Sequence, residues 1–400
     1  MEFIAIKNTL FTILAFSFIA FVYAENSMLS TMPSYAIVDT GVKDFYSNHA
    51  IIAKPKTGEA FYGQDAHYQI NVPKYTDNGD DTITDNVTGL MWQKNMGEKI
   101  TFNDAFKYAK KLKLGGYSDW RVPTIKELYS LIQFTGSVRG QRAIKPFIDT
   151  RYFNQPLGDG RKGEREIDAQ TWSSTEYVAR TMGNDKTVFG VNFVDGRIKG
   201  YPKFHPRRRQ ANKMYFRFVR GNKAYGKNNF VDNKDGTVTD VATGLMWQKE
   251  DSRRGMVWQQ GLQYAENLKL AGFDDWRLPN AKELQSIVDY TRSPQTHGTA
   301  AINSIFKVSK LNAPRGKNQF PYYWTSTTHL DGRNLYDSAV YIAFGAALGR
   351  MHGRIMDVHG AGAQRSDPKS GDANHYPRYF GPQGDLQRVY NYVRCVRSVH

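Results

Sequence analysis

Two short motifs set an aromatic ring beside hydrogen-bonding groups at fixed spacing, and each occurs twice. Trp172-Ser173-Ser174-Thr175 is answered by Trp324-Thr325-Ser326-Thr327, and Asp119-Trp120-Arg121 by Asp275-Trp276-Arg277. An indole next to hydroxyls is a pairing that carbohydrate sites use, the ring for stacking and the hydroxyls for hydrogen bonds. The same residues serve equally well as a core aromatic on a bent strand whose hydroxyls are internally satisfied. Arg121 and Arg277 could stack on a sugar or clamp a carboxylate. With Glu127 and Glu283 on the next predicted helix, an internal pair pinning helix to sheet is the simpler account.

The densest cationic cluster runs from Lys199 through Lys203, His205, Arg207, Arg208 and Arg209 to Lys213, interleaved with Tyr201 and Phe204. Its counterpart holds Arg350, His352, Arg354 and His359, followed by Arg365, Lys369 and Arg378. Arginine forks match sulfate and carboxylate in pairs, and each screened contact adds little, so several must act together. The ligand-binding candidates are therefore Lys199, Lys203, His205, Arg207, Arg208, Arg209, Arg350, His352 and Arg354, with Trp172 and Trp324 as stacking rings. A solvated loop without a partner is the alternative.

Catalytic chemistry finds little support. No Gly-x-Ser-x-Gly elbow, His-Glu-x-x-His motif or phosphate-cradling glycine loop is present, and no histidine recurs at matching positions. Cys395 is the single cysteine, which rules out an intramolecular disulfide or a multi-cysteine zinc site. Its alternation with Val393 predicts a buried, inert thiol. Asp77, Asp80, Asp81 and Asp85, with Asp232, Asp235 and Asp240, offer calcium-type oxygens. Their Asp-Asn-x-Asp setting marks a hairpin turn more economically. No cofactor is expected, calcium being the remote exception, and the chain reads as a non-enzyme.

The chain of 400 residues has 54 Lys and Arg against 38 Asp and Glu, a formal net charge of +16, and is 40% hydrophobic. That apolar content, rich in Tyr, Phe and Trp, excludes a disordered chain. Residues 1–24 read as a cleaved signal peptide: Lys7, an apolar run from Leu10 to Val22, then Val22-Tyr23-Ala24. The run is shorter than the ~20 residues a membrane span needs. The expected product is exported without a transmembrane anchor, to the periplasm, surface or medium of a Gram-negative bacterium. A protein this basic meets acidic polysaccharide or another extracytoplasmic polyanion there, or a protein partner.

Positioning these residues is the task of a unit written twice. YTDNGDDTITDNVTGLMWQK from Tyr75 returns as FVDNKDGTVTDVATGLMWQK from Phe230, and AKKLKLGGYSDWRVPTIKEL from Ala109 as AENLKLAGFDDWRLPNAKEL from Ala265. Each unit is large enough to bury its own core. The division is a lead-in over 25–69, a first domain over 70–222, a linker over 223–229 and a second domain over 230–400. An inserted stretch at 355–385, rich in Gly, His, Arg and Pro, reads as a loop. Within each unit a hairpin precedes a helix carrying Phe102, Ala105 and Ala109, or Trp258, Leu262 and Ala265, which Gly116 or Gly272 stops. A second helix follows Pro123 or Pro279, capped by Thr124 and Glu127 or by Asn280 and Glu283. Strands complete an α+β fold, each domain having two helices and a small, mostly antiparallel sheet.

The ordered set Asp-Gly-Thr-x-Thr-Asp, Thr-Gly-Leu-Met-Trp, Asp-Trp-Arg-x-Pro, Trp-Ser-Ser-Thr and a closing Val-Arg resembles the bacterial DUF1566 family, which includes the C-terminal domain of a Legionella collagen-like adhesin. The resemblance covers residues 70–400 in two copies. It implies two tandem C-type-lectin-like domains and binding to sulfated glycosaminoglycan-like chains. Relatives often carry cysteines where this chain has Phe45 and Lys54, so a crosslink in the lead-in is missing. The expectation is an exported binding protein that recognises acidic or sulfated glycan or another polyanion through basic loops; the alternative is a protein-binding adhesion or assembly factor using lectin-like loops.

Overall fold

The computed structural model describes residues 33–138, 144–205, 210–311, 319–332 and 334–399. The predicted signal peptide lies outside them. The lead-in forms one small hairpin, β1 (Phe45–Tyr46) and β2 (Ile51–Ile52). The first copy runs β3 (Tyr75–Asp77), β4 (Thr82–Asp85), β5 (Leu90–Gln93), β6 (Ile100–Thr101), α1 (Phe102–Lys111) and α2 (Ile125–Ser130). It continues with β7 (Thr171–Glu176), β8 (Thr187–Asn192), β9 (Arg197–Pro202), β10 (Lys213–Met214) and β11 (Val219–Gly221). The second copy opens with β12 (Phe230–Asp232), β13 (Thr237–Asp240), β14 (Leu245–Gln248), α3 (Trp258–Glu266), α4 (Ala281–Ser286) and α5 (Pro294–His297). Then come β15 (Tyr322–Thr328), β16 (Ser338–Ala343), β17 (Leu348–Met351), β18 (Arg354–Asp357), β19 (Gln364–Pro368), β20 (Arg378–Phe380), β21 (Asp385–Gln387) and β22 (Val396–Ser398). Sheets are almost entirely antiparallel and helices few, which is an α+β architecture.

The repeated motifs build the same four-stranded sheet in each copy, β3-β4-β5-β11 and β12-β13-β14-β22. Alternation puts Ile83 opposite Trp92 and Val238 opposite Trp247, and all four are wholly buried. Each buried aliphatic of this kind stabilises by roughly 1.5–3 kcal/mol. The helices start as their caps dictate. Thr124 with Glu127, and Asn280 with Glu283, form complete capping boxes, and Thr101 accepts from the Asp104 N–H. They stop earlier than predicted, at Lys111 and Glu266. Gly116 does adopt a left-handed φ of 77° and Gly272 one of 80°, but both sit in the tight turns Leu114–Tyr117 and Leu270–Phe273 beyond the helices.

The two copies do not stand apart. Strands β7, β8 and β9 of the first and β19, β16 and β15 of the second make one six-stranded sheet, joined where Ile198 of β9 lies opposite Gln364 of β19. A central core cluster draws on both copies and on the lead-in, from Tyr35 and Tyr46 through Phe189 to Val396, with one satellite cluster in each copy. This corrects the expectation of two self-contained cores. The second helices meet across the junction in reciprocal fashion. Lys126 Nζ donates to Ser286 O at 2.6 Å, and its counterpart Lys282 Nζ donates to Ser130 O at 2.8 Å. Each ammonium therefore meets the carbonyl end of the other copy's helix, where the dipole favours positive charge. Burial holds Lys126 down at about 8 and Lys282 at about 7. The expected linker is also packed: Tyr225 is buried against Tyr35, and Asn228 Nδ2 donates to Asp240 Oδ2 at 2.8 Å.

The stretch 355–385, expected as a loop, contains β19 and β20, the end of β18 and the start of β21. After β16 the chain makes the β17–β18 hairpin and then re-enters the main sheet as β19, which takes the place beside β16 that β9 takes beside β8. Strands β20 and β21 then join β17 and β18 in a second four-stranded sheet.

Candidate functional site

Both motif tryptophans are core. Trp172 and Trp324 have no exposed surface, so neither offers a ring face to a ligand. Trp172 packs against Phe102 and Phe216, and Trp324 Nε1 donates to Met256 O at 2.8 Å. The accompanying hydroxyls hold strands and helix starts. Ser173 Oγ donates to Phe189 O at 2.7 Å and Thr325 Oγ1 to Val340 O at 3.0 Å, while Thr175 and Thr327 each accept from the first N–H of α2 and α4. The bulge that both strands carry just after the indole turns these hydroxyls inward.

The arginines of the Asp-Trp-Arg motifs are internal partners, as the simpler account expects. Arg121 forks onto Glu127 at 2.7 and 2.6 Å, and Arg277 onto Glu283 at the same distances. The motif aspartates take the closing strands: Asp119 accepts from Arg220 Nε, and Asp275 from Arg397 Nε, each at 2.6 Å. The aspartates of the hairpin turns accept from turn backbone, Asp80 from Thr82 N at 3.1 Å and Asp235 from Thr237 N at 3.0 Å. Among the described residues no group of three or more His, Cys, Asp or Glu is placed to hold a metal ion. Cys395 is buried, and burial pushes its thiol up.

The basic candidates separate into two sets. In the first copy Lys199 is turned inward, its Nζ 3.1 Å from the buried carboxylate of Asp195, and burial lowers it to about 8. Lys203 pairs with Glu176 at 2.9 Å and lies 4.3 Å over the Phe102 ring. They sit on β9 and just beyond it, where a partly buried charge must find a partner. His205 ends the described stretch, its N–H donating to Gln210 O at 2.8 Å. Arg207, Arg208 and Arg209 lie outside the described residues. Two further cations of the insertion are internal as well. Arg365 pairs with Asp385, and Lys369 donates to Ser47 O at 2.9 Å beneath Trp258. His359, wholly enclosed, is held down at about 4 by burial and by Arg365, with Nε2 2.7 Å from Asp385 Oδ1.

What stays outside is the β17–β18 hairpin and the strand beside it. Arg350, His352 and Arg354 are exposed. His352 and Gly353 form the two-residue turn, with φ of 50° and 73°, a twist that suits a tight hairpin. Arg350 lies 4.1 Å over the Tyr379 ring, and the exposed Arg378 donates through Nε to Gln387 at 2.8 Å. Phe380 and Ile355 are 57% and 48% exposed on the same small sheet. The sheet's acids are occupied inward, Asp385 by Arg365 and His359, Asp357 by Tyr177 Oη and Gly360 N. Among the described residues its outer arginines have no carboxylate partner. Tyr379 and Phe380 went unnoticed in the sequence because they sit in a Gly- and Pro-rich stretch that carries no strand periodicity.

Residues 81–220 and 236–358 each match the family model described as Lcl C-terminal domain. No curated protein and no solved structure matches the chain.

Proposed function

Because the chain belongs to the Lcl C-terminal domain family, in two tandem copies, we propose that it is an exported, non-enzymatic adhesin-like protein that holds acidic or sulfated glycan, or another polyanion, on the outer sheet of its second copy. The folds of the two copies are read as C-type-lectin-like, with the first spanning 70–222 and the second 230–400, behind a signal peptide at 1–24. The observation that carries the reading is the cluster of Arg350, His352, Arg354 and Arg378 around half-buried Tyr379 and exposed Phe380, on a sheet whose own carboxylates are already paired internally. Guanidinium forks match sulfate and carboxylate, and the rings add apolar contact for the sugar backbone. No helix among the described residues is long and apolar enough to cross a membrane.

The test is retention on immobilised heparin in a salt gradient, comparing the wild type with Arg350→Ser/Arg354→Ser/Arg378→Ser and with a control, Lys107→Ser/Lys110→Ser/Lys111→Ser on exposed α1. The outer-sheet variant should elute at clearly lower salt than the control. Equal elution of the two variants would remove the assignment.

A further inference from the structure

Helix α3 and its flanking segments line an open cleft of about 500 Å3 in the second copy, well away in sequence from the outer sheet. Arg254 lies before the helix and Lys269 after it, both exposed and both lining the cleft. No acidic residue lines it, and among the described residues no carboxylate pairs with either cation. Between them Gln260, Gln263 and Asn267 follow one stripe of the helix. Among the described residues none of these three amides has a hydrogen-bond partner. Tyr264 lies beside them. Its hydroxyl oxygen accepts from Gln248 Nε2 at 2.9 Å, and its proton has no acceptor among the described residues.

The first copy shows that the scaffold does not demand this arrangement. In the repeat alignment Gln260, Gln263 and Asn267 stand where α1 has Asp104, Lys107 and Lys111. There the charges serve their own helix, Asp104 pairing with Lys107 at 3.2 Å and accepting from Thr101 Oγ1 at 2.7 Å. Tyr108, the counterpart of Tyr264, is stacked on Phe218 with centroids 5.4 Å apart, where the second copy has the smaller, buried Cys395. The second copy has thus exchanged three charged side chains, two of them paired with each other, for unpaired amides, and the bulky Phe218 for the smaller Cys395.

A side-chain amide donates and accepts as a peptide group does. Along a helix the three amides are spaced by ~4.5 and ~6 Å of axial rise. That is within side-chain adjustment of the ~6.7 Å two-residue repeat of an extended chain. A sugar is better served by an open ring face, and the ring that lines this cleft is half-buried Tyr264. We propose that the α3 cleft docks an extended acidic peptide segment of a partner protein, with Gln260, Gln263 and Asn267 holding its backbone and Arg254 and Lys269 its carboxylates.

Fluorescence anisotropy on the purified full chain tests this, using a labelled, end-blocked octapeptide of alternating glutamate and serine. Saturable binding is expected, weakened about tenfold or more by Gln263→Ala/Asn267→Ala and by Lys269→Glu. It should be unchanged by Lys107→Ala/Lys111→Ala and by the outer-sheet arginine variant used for heparin. All of these positions are exposed, and circular dichroism checks that the fold is kept. No binding, equal affinity in Gln263→Ala/Asn267→Ala, or equal binding of a lysine-serine octapeptide would overturn the proposal. So would displacement of the peptide by an oligogalacturonate whose own affinity falls with Gln263→Ala/Asn267→Ala, since that would assign the cleft to an acidic sugar. Heparin retention is read separately, so either site can fail without the other.

Discussion

Arg217 and Arg394 are buried without a carboxylate partner among the described residues, and each does the same task in its own copy. Arg217 donates to Gln93 O, Lys94 O and Asn154 O at 2.6–2.9 Å, and Arg394 to Gln248 O, Lys249 O and Lys307 O at 2.6–2.8 Å. The guanidinium fork ties the end of the hairpin to a distant loop through three backbone carbonyls at once. Arg217→Met or Arg394→Met should each cost about 2–4 kcal/mol in urea unfolding, because three charge-assisted hydrogen bonds from a buried donor are lost. A second residue-scale prediction concerns Asp65, whose carboxyl accepts from Thr40 Oγ1 and Thr327 Oγ1 and is pushed up to about 7 by burial. Above its ordinary pKa the unfolded chain has released this proton while the folded chain keeps it. The stability it contributes is therefore present below about pH 4 and lost progressively as pH rises to about 7. Asp65→Asn lacks that slope, so its melting temperature relative to wild type should rise between pH 4.5 and 7.5; a pH-independent difference would contradict the assignment. At this scale much was legible. The capping boxes and the Arg121 and Arg277 pairs follow from residue type and spacing alone, whereas the complete burial of the motif tryptophans is a matter of packing that spacing does not encode.

The elements that carry the proposed function were the least legible. Residues 355–385 read as a loop because strands of three to five residues containing Arg, Asp and Pro have no alternating pattern. Gln364-Arg365-Ser366-Asp367-Pro368 is a strand because β16 and β9 flank it and supply its hydrogen bonds, a tertiary effect overriding propensity. The same re-entry turns Arg365 and Lys369 inward. The hairpin, in contrast, depends on its turn. A Cβ at Gly353 would meet nothing within 4 Å, so Gly353→Val there strains only the left-handed backbone, by ~1–2 kcal/mol. Gly353→Val should speed amide exchange across 349–356 and lower heparin retention with little change in global melting temperature. Unchanged exchange would mean that the hairpin is held by contacts other than its turn.

At the scale of the whole molecule the duplication was plain and the junction was not. Repetition announces two units, but pairing of β9 with β19, and of α2 with α4 through Lys126 and Lys282, leaves no periodic mark. Those contacts make the two copies and the lead-in one packing unit, so calorimetry should record one cooperative transition for the chain. Two resolved transitions, each matching a separately expressed copy, would show that the shared sheet contributes little. The chain has 54 Lys and Arg against 38 Asp and Glu. Some of these cations are paired inside the sheet, as Lys199 and Arg365 are, whereas among the described residues Arg350, Arg354 and Arg378 on the outer hairpin sheet have no carboxylate partner. The most direct measurement of that claim is the slope of log affinity against log salt for heparin. Counterion release ties the slope to the number of cations engaged. For Arg350→Ser/Arg354→Ser/Arg378→Ser the slope should become markedly shallower than for wild type. An affinity and a slope both equal to those of wild type would place polyanion binding elsewhere or nowhere on this protein.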